Sequence, residues 1–391
     1  MKVIMTIFEK NKFLVFNAIL NKAAITRSKI ASYTLLSKPT VSKIVLSLIS
    51  EGLIKEIEPI KESSRRTNIE LTINSASDYV IAIEISGNKI RLSIYSLTLT
   101  VISNKTINTY RCASRDDFIT LLAQDICEFI NESGFSSSQL FIASVATIGI
   151  IDNESGYVIK GSKNLPQWNT FDLSKELSNK ISIPVIVENN VKAALIGEIY
   201  AGGHNNSKNM MLLCLGAGVG SAFLIEGNLL RGRNNAAGEI GYMFMSREQI
   251  NKNWQSNGAL ENYCSFSGLV NRYELLTGQK ISGTEVFESC AAGDFTAKSL
   301  IDELSDYIAM SILNAMMITN PERVIIYGEI CEFSHLFLER TKNIVNRQAL
   351  SVTKVDIEIS RIGNQSSLIG AAILGFLLKY PKIEFLPHSK I

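Results

Sequence analysis

Between residues 10 and 50 the chain carries seven Lys and Arg side chains and not one Asp or Glu. The same stretch spaces its apolar residues helically, and the two facts together narrow the choice of folds sharply. Phe13, Leu14, Phe16, Ile19 and Leu20 recur as on one helix across 11–20. Thr26 is placed to cap a second short helix that runs through Tyr33. Ser37 is placed to cap a third, with Pro39 in its first turn, where the missing N–H costs nothing. That helix runs to Glu51, Gly52 stops it, and Val41, Val45, Leu48 and Ile49 form its buried stripe. Leu53–Ile57 and Ile69–Ile73 then alternate like strands around a basic tip, Lys61 to Arg66. Three short helices and a hairpin predict a winged helix-turn-helix over residues 1–74.

Charge separates this head from the body of the chain. Residues 1–70 hold twelve basic and six acidic side chains, whereas the remaining residues hold 27 basic and 31 acidic. A basic head on a mildly acidic body predicts a polyanion at one end only. The third helix is expected to enter a DNA major groove by its N-terminal end. There Ser37, Lys38, Thr40, Ser42 and Lys43 offer short hydroxyls and flexible cations, suited to phosphates and base edges. Arg65 and Arg66 at the wing tip suit an adjacent minor groove. A merely solvated charged face is the plain alternative. Charge sign, helix lengths and wing agree on double-stranded DNA.

With 391 residues and 46% hydrophobic content, the chain has enough apolar surface for more than one core, which excludes a disordered protein. Tyr79–Ile85, Lys89–Leu97 and Thr100–Asn108 read as a strand meander, followed by a helix at Phe118–Ile130 and a buried strand at Leu140–Ala146. Further alternation of strand and helix makes residues 75–391 an α/β body. Asn74 to Asp78 is expected to be a polar linker, and a helical region from Gly268 to Asn320 to separate two lobes. No apolar run reaches membrane-spanning length, and the N-terminus lacks a secretory apolar stretch. The six cysteines have no CxxC pair and read as buried thiols in a reducing, cytoplasmic setting.

Several body segments carry chemistry. Leu215 to Gly220 is a strand ending in a glycine-rich turn, able to approach a phosphate or sugar closely or simply to turn tightly. Glu188-Asn189-Asn190 ends a strand before a helix, where paired amides suit sugar hydroxyls or cap the helix. Glu239 and Tyr242 lie on a turn between glycines, and Glu261 follows Gly258-Ala259-Leu260.

In their order along the chain these segments resemble the ROK family of repressors and sugar kinases. The resemblance includes Gly149-Ile150-Ile151-Asp152, Asn164-Leu165-Pro166-Gln167-Trp168, Ile183-Pro184-Val185 and Glu188-Asn189-Asn190. It continues through Leu229-Leu230-Arg231-Gly232, Ala237-Gly238-Glu239-Ile240-Gly241 and Asn320-Pro321-Glu322-Arg323-Val324. The head, with Ser37-Lys38-Pro39-Thr40-Val41-Ser42, is similar to the winged helix of the repressor branch. The resemblance implies a two-lobed, actin-like (ribonuclease-H-type) sugar-binding body. It further implies a sugar site formed by Gly149, Asn164, Asn189, Asn190, Glu239, Tyr242 and Glu261.

The departures from that family are specific. Its kinases carry Asp, the base that deprotonates the attacking hydroxyl, where this chain has Asn190. A carboxamide cannot accept that proton. The first phosphate loop is reduced to Glu84-Ile85-Ser86-Gly87-Asn88, and the second carries Ala217 where the family has Thr. Tyr327-Gly328-Glu329 replaces a Gly-rich adenosine turn. Tyr242, Lys252, Trp254 and Ala259 stand at the four zinc-ligand positions, so no metal and no cofactor are expected, and the loop must be held by packing, with Trp254 a candidate. The expectation is a non-enzymatic repressor that binds operator DNA and a small sugar or sugar phosphate, acting as a homodimer or homotetramer. A ROK-type kinase with a DNA-binding head, and a repressor controlled by protein docking, are the alternatives.

Overall fold

The computed structural model describes residues 6–22, 24–57, 69–112, 114–162, 165, 168–251, 253–254 and 258–385. The wing tip with Arg65 and Arg66, the expected sugar ligand Asn164, and Lys252 lie outside the described residues. In the head, Thr6 and Glu9 form a capping box that starts α1 (Ile7–Leu20) a turn earlier than its apolar spacing predicts. β1 (Ile25–Thr26) leads into α2 (Arg27–Thr34), capped by Thr26, and α3 (Lys38–Ser50), capped by Ser37 with Pro39 in its first turn. Gly52 turns the chain at φ +73°. The buried face of α3 is Val41, Ile44, Val45 and Leu48; Ile49 is only half-buried, so the stripe sits one step round from the expected one. β2 (Ile54–Ile57) and β3 (Glu70–Ile73) pair antiparallel, and β1 extends the sheet on the far side of β3. This is a winged helix-turn-helix arrangement.

The first lobe opens with β4 (Tyr79–Ile85), β5 (Lys89–Ser96) and β6 (Val101–Asn108), the expected meander, then α4 (Arg115–Glu132) and β7 (Leu140–Thr147). A small sheet of β8 (Ile150–Asp152), β9 (Tyr157–Lys160) and β10 (Phe171–Asp172) precedes α5 (Leu173–Ile181) and β11 (Val185–Asn189). The main sheet runs β11-β7-β4-β5-β6, with its first three strands parallel. β4 is apolar on both faces because it is central, whereas β6 alternates because it is an edge. Trp168 is fully buried, edge-on to both Phe118 and Phe171.

α6 (Asn190–Tyr200) leads to the second lobe: β12 (Met210–Leu215), β13 (Val219–Ile225) and β14 (Asn228–Leu229), then α7 (Glu261–Cys264), α8 (Phe266–Thr277), α9 (Gly283–Ala291) and α10 (Phe295–Thr319). β15 (Arg323–Tyr327), α11 (Ser334–Gln348) and β16 (Asp356–Ile359) complete a sheet ordered β14-β13-β12-β15-β16. α12 (Ser366–Lys379) returns to the first lobe. The helical stretch 268–320 therefore does not separate the lobes. It breaks into α8, α9 and α10, whose apolar faces share one core with β12 and β15.

The lobes meet instead through α6 and α12. A Cβ on Gly197 would stand 2.2 Å from Ser366 O, and one on Gly370 1.8 Å from Ala193 O, so both positions must be glycine for the helices to touch. Asn74 to Asp78 also joins more than it separates. Asn74 Nδ2 donates to Gly52 O at 2.8 Å, and buried Asp78 accepts from Lys379 and Tyr380. Head residues Val15, Phe16, Val45 and Leu48 form one apolar cluster with Val80, Ile373, Phe376 and Tyr380. All six cysteines are free, but only Cys264 is buried; the other five are half-exposed.

Candidate functional site

The cleft between the lobes is built from tight backbone turns. Gly149, between β7 and β8, adopts φ +107°, and a Cβ there would lie 2.5 Å from Lys160 O. Its carbonyl accepts from Asn189 Nδ2 at 2.8 Å. Asn189 Oδ1 meanwhile accepts from Val191 N and Lys192 N, at 3.0 and 3.1 Å, capping α6. Asn189 is thus occupied in holding the cleft wall in place. The next residue, Asn190, is half-buried and its carboxamide has no partner among the described residues.

Behind the two asparagines, Glu188 accepts from Asn189 N at 2.8 Å and from Arg231 Nη2 at 2.7 Å. Lys192 is buried in the first turn of α6 and donates to Asn235 O at 2.7 Å. Burial lowers its ammonium pKa, while the charges of Glu188 and Glu239 raise it.

The opposite wall turns on Gly238, at φ +99°, whose carbonyl accepts from Ser221 N and Oγ. That turn presents Glu239 and Tyr242. Burial pushes the Glu239 carboxyl up, Lys192 and Lys160 draw it down, and Glu261 pushes it up again. Burial, Glu261 and Glu239 all raise the Tyr242 phenol, and Lys160 Nζ lies 5.3 Å from the centre of its ring. Glu261 accepts from Val219 N at 3.4 Å, beneath the glycine-rich turn. Contacts and charge interactions therefore connect Gly149 with Asn189, and Glu239 with Lys192, Lys160, Tyr242 and Glu261, in one group, Asn190 being the next residue after Asn189. Lys160, Lys192 and Arg231 belong to it too, although sequence reasoning assigned them nothing. Lys192, two residues after Asn190 on a helix start, and Arg231, beside Gly232 in a family motif, were the available signals.

Beside this cleft, Glu84 on β4 is buried and pairs with its cross-strand neighbour Arg91 on β5. Burial raises the Glu84 carboxyl, Arg91 lowers it, and Glu329 raises it further. Glu329 lies in ordinary contact with the glycine-rich turn: a Cβ on Gly216 would be 3.7 Å from both its N and its Oε2. Two carboxylates thus stand near the glycine-rich turn, one of them paired with Arg91. The Ser86 hydroxyl, in the shortened loop, is used within its own turn, donating to Asn88 Oδ1 at 3.1 Å and Lys89 O at 2.8 Å.

In the loop after Tyr242, Gln249 Oε1 accepts from Met245 N and Ser246 N at 2.5 and 3.1 Å, and Trp254 Nε1 donates to Gln249 O at 2.6 Å. The expected packing role of Trp254 is therefore joined by a hydrogen-bonded amide.

On the head, Lys38 and Lys43 are exposed at the start of α3, with Lys43 Nζ 5.6 Å from the Phe8 ring centre. Ser37 and Thr40 are turned toward each other: Ser37 Oγ accepts from Thr40 N at 3.3 Å, and the two hydroxyls are 2.8 Å apart. Ser42 is half-exposed beside them. The cations are therefore the most available donors of this face.

The chain is 25% identical over 389 residues to the xylose repressor of Caldicellulosiruptor bescii, covering 95% of this chain and 97% of that one. It is 26% identical over 322 residues to the glucokinase of Halalkalibacterium halodurans, covering 77% of this chain and 95% of the enzyme. A crystal structure of a ROK family transcriptional regulator, a homologue of the E. coli MLC protein, shares the fold with TM-score 0.78 at 22% identity, covering 95% of this chain and 96% of that one. Residues 80–376 match the ROK family, and the chain belongs to it.

Proposed function

We propose that this protein is a sugar-responsive, DNA-binding transcriptional regulator, a repressor of carbohydrate-utilisation genes, without kinase activity. One observation carries the reading: Asn190, where the resembled kinases carry their catalytic base, has a half-buried carboxamide without a partner among the described residues, in a chain that also carries a winged helix-turn-helix. A carboxamide offers both a donor and an acceptor to a sugar hydroxyl, and it cannot take a proton from one.

Residues 1–74 form the DNA-binding domain and residues 75–391 the sugar-binding and oligomerisation domain. Gly149, Asn164, Asn189, Asn190, Glu239, Tyr242 and Glu261 serve a small sugar or sugar phosphate, with Asn189 acting through its neighbours. Ser37, Lys38, Thr40, Ser42, Lys43, Arg65 and Arg66 serve operator DNA. Reading a pseudo-palindrome takes at least a homodimer, in the cytoplasm.

Closure of the lobes on a sugar changes the separation of two recognition helices, coupling sugar to operator by about 5–150-fold in affinity. The test is Glu239→Ala, which should abolish the sugar response and leave sugar-free DNA affinity intact. Retention of the full response, or loss of DNA binding, refutes the assigned site. ADP release from the unmodified protein with any hexose refutes the non-enzymatic reading, and Asn190→Asp alone should not produce it.

A further inference from the structure

The two ends of α6 serve different places. Its first turn walls the cleft, while its last residue, Tyr200, meets the segment that comes after α12. The Tyr200 ring lies edge-on to Phe385 at 6.3 Å, and Asn205 Nδ2 donates to Phe385 O at 3.2 Å. From the other side the same segment is held by the head. Asn17 Nδ2 donates to Lys382 O at 2.9 Å, Asn17 Oδ1 accepts from Glu384 N at 3.1 Å, and Asn21 Nδ2 donates to Glu384 O at 2.9 Å. Residues 382–385 are thus gripped between α6 of the body and α1 of the head.

α12 makes a parallel connection. Asp78 accepts from Lys379 Nζ and Tyr380 Oη, and the Tyr380 ring stacks on Phe16 at 5.8 Å with 19° between planes. Beside these contacts opens a pocket of about 440 Å³, lined among others by Phe13, Leu48, Leu53, Asp78 and Tyr380.

We propose that residues 380–385, gripped by Asn17, Asn21 and Asp78, are the link through which the cleft sets the orientation of the DNA-binding head. The link rests on the proposed function and adds to it the residues that carry the coupling. A rigid helix moves as a unit, so displacing the first turn of α6 displaces Tyr200 and, with it, the clamped segment. That segment lies in neither helix nor strand. Lys382 O, Glu384 O and Glu384 N are committed to the two asparagines of α1, so α1 moves with it. A tether that only held the head in place would change DNA affinity with and without sugar alike. A transmitting link changes the ratio of the two.

The experiment uses the full chain carrying Asn17→Ala with Asn21→Ala, and separately Tyr380→Phe, which keeps the ring and loses the bond to Asp78. Affinity for the duplex upstream of the protein's own coding sequence is measured with and without D-xylose, D-glucose, N-acetylglucosamine and N-acetylglucosamine 6-phosphate. Sugar binding is followed in parallel by the melting temperature. The wild type should show a sugar-dependent change of about 5–150-fold. In the double variant that factor should fall to near unity while sugar still raises the melting temperature, with Tyr380→Phe between the two. A full wild-type factor in both variants overturns the link alone. A wild type whose DNA affinity ignores every sugar overturns the proposed function and the link with it.

Discussion

Gly370 lies where α12 crosses α6, and a Cβ built on it would stand 1.8 Å from the Ala193 carbonyl oxygen and 2.6 Å from its carbon. Ordinary contact would require the helices to separate by roughly 1.5 Å or more. The blocking atom is backbone inside α6, so no side chain can rotate to make room. Gly197 offers no slack nearby, since its own Cβ position is 2.2 Å from Ser366 O. Overpacking of this kind costs about 3 kcal/mol, at the upper end of its range because backbone must move. Replacing glycine by alanine inside a helix returns about 1 kcal/mol. The net loss for Gly370→Ala is therefore about 2 kcal/mol, and each kcal/mol lowers the melting temperature by about 2–4 °C in a sizeable domain. Thermal unfolding followed by circular dichroism measures it. Gly216→Ala is the control, because its added methyl meets nothing nearer than 3.7 Å and φ there is not left-handed. A Gly370→Ala protein that melts at or above the wild-type temperature would show the helix-propensity gain standing alone, and the two helices could not be in the contact described.

Lys38→Ala should flatten the slope of log DNA affinity against log salt by about 0.9, the loss of one phosphate contact; an unchanged slope removes Lys38 from the docking face. Asn189→Ala should cost about 1–2 kcal/mol of stability through the lost cap, whereas Asn190→Ala should cost almost nothing, a difference that denaturant titration resolves. His204 is buried, and burial first of all holds its imidazole down at about 4 from 6.5, Glu358 opposing and Arg323 and Arg361 assisting. The unfolded chain therefore takes up this proton first, and the stability associated with His204 is present above pH 6.5 and lost as pH falls toward 4. His204→Gln should remove that acid limb from the dependence of melting temperature on pH; superimposable profiles would refute it.

Strands β4, β5 and β6 were legible almost to the residue because each runs for seven or eight residues. β1, β8, β9 and β10 were not, since two to four residues carry no period. The stretch 268–320 misled because helical spacing reports an apolar face without saying which sheet receives it. Among the expected site residues, Asn189 bonds to Gly149, and Glu239, Tyr242 and Glu261 share one cluster of charges, whereas Asn190 is placed only by its neighbour. Lys160 was silent, because a single lysine in a sequence looks the same on a surface as on a cleft wall. The union of head and body was also out of reach. Asn17 and Lys382 are 365 residues apart, and no local pattern announces that an amide on α1 will close on the segment after α12.

Asn189 and Asn190 are neighbours with opposite relations to the scaffold. The fold leans on the first, whose amide caps a helix and ties down Gly149, and asks nothing of the second. The second position can therefore change without cost to the scaffold: exchanging the amide nitrogen for a carboxylate oxygen at 190 disturbs no cap, strand or turn among the described residues. The same exchange at 189 would put a charged oxygen where an amide N–H now donates to Gly149.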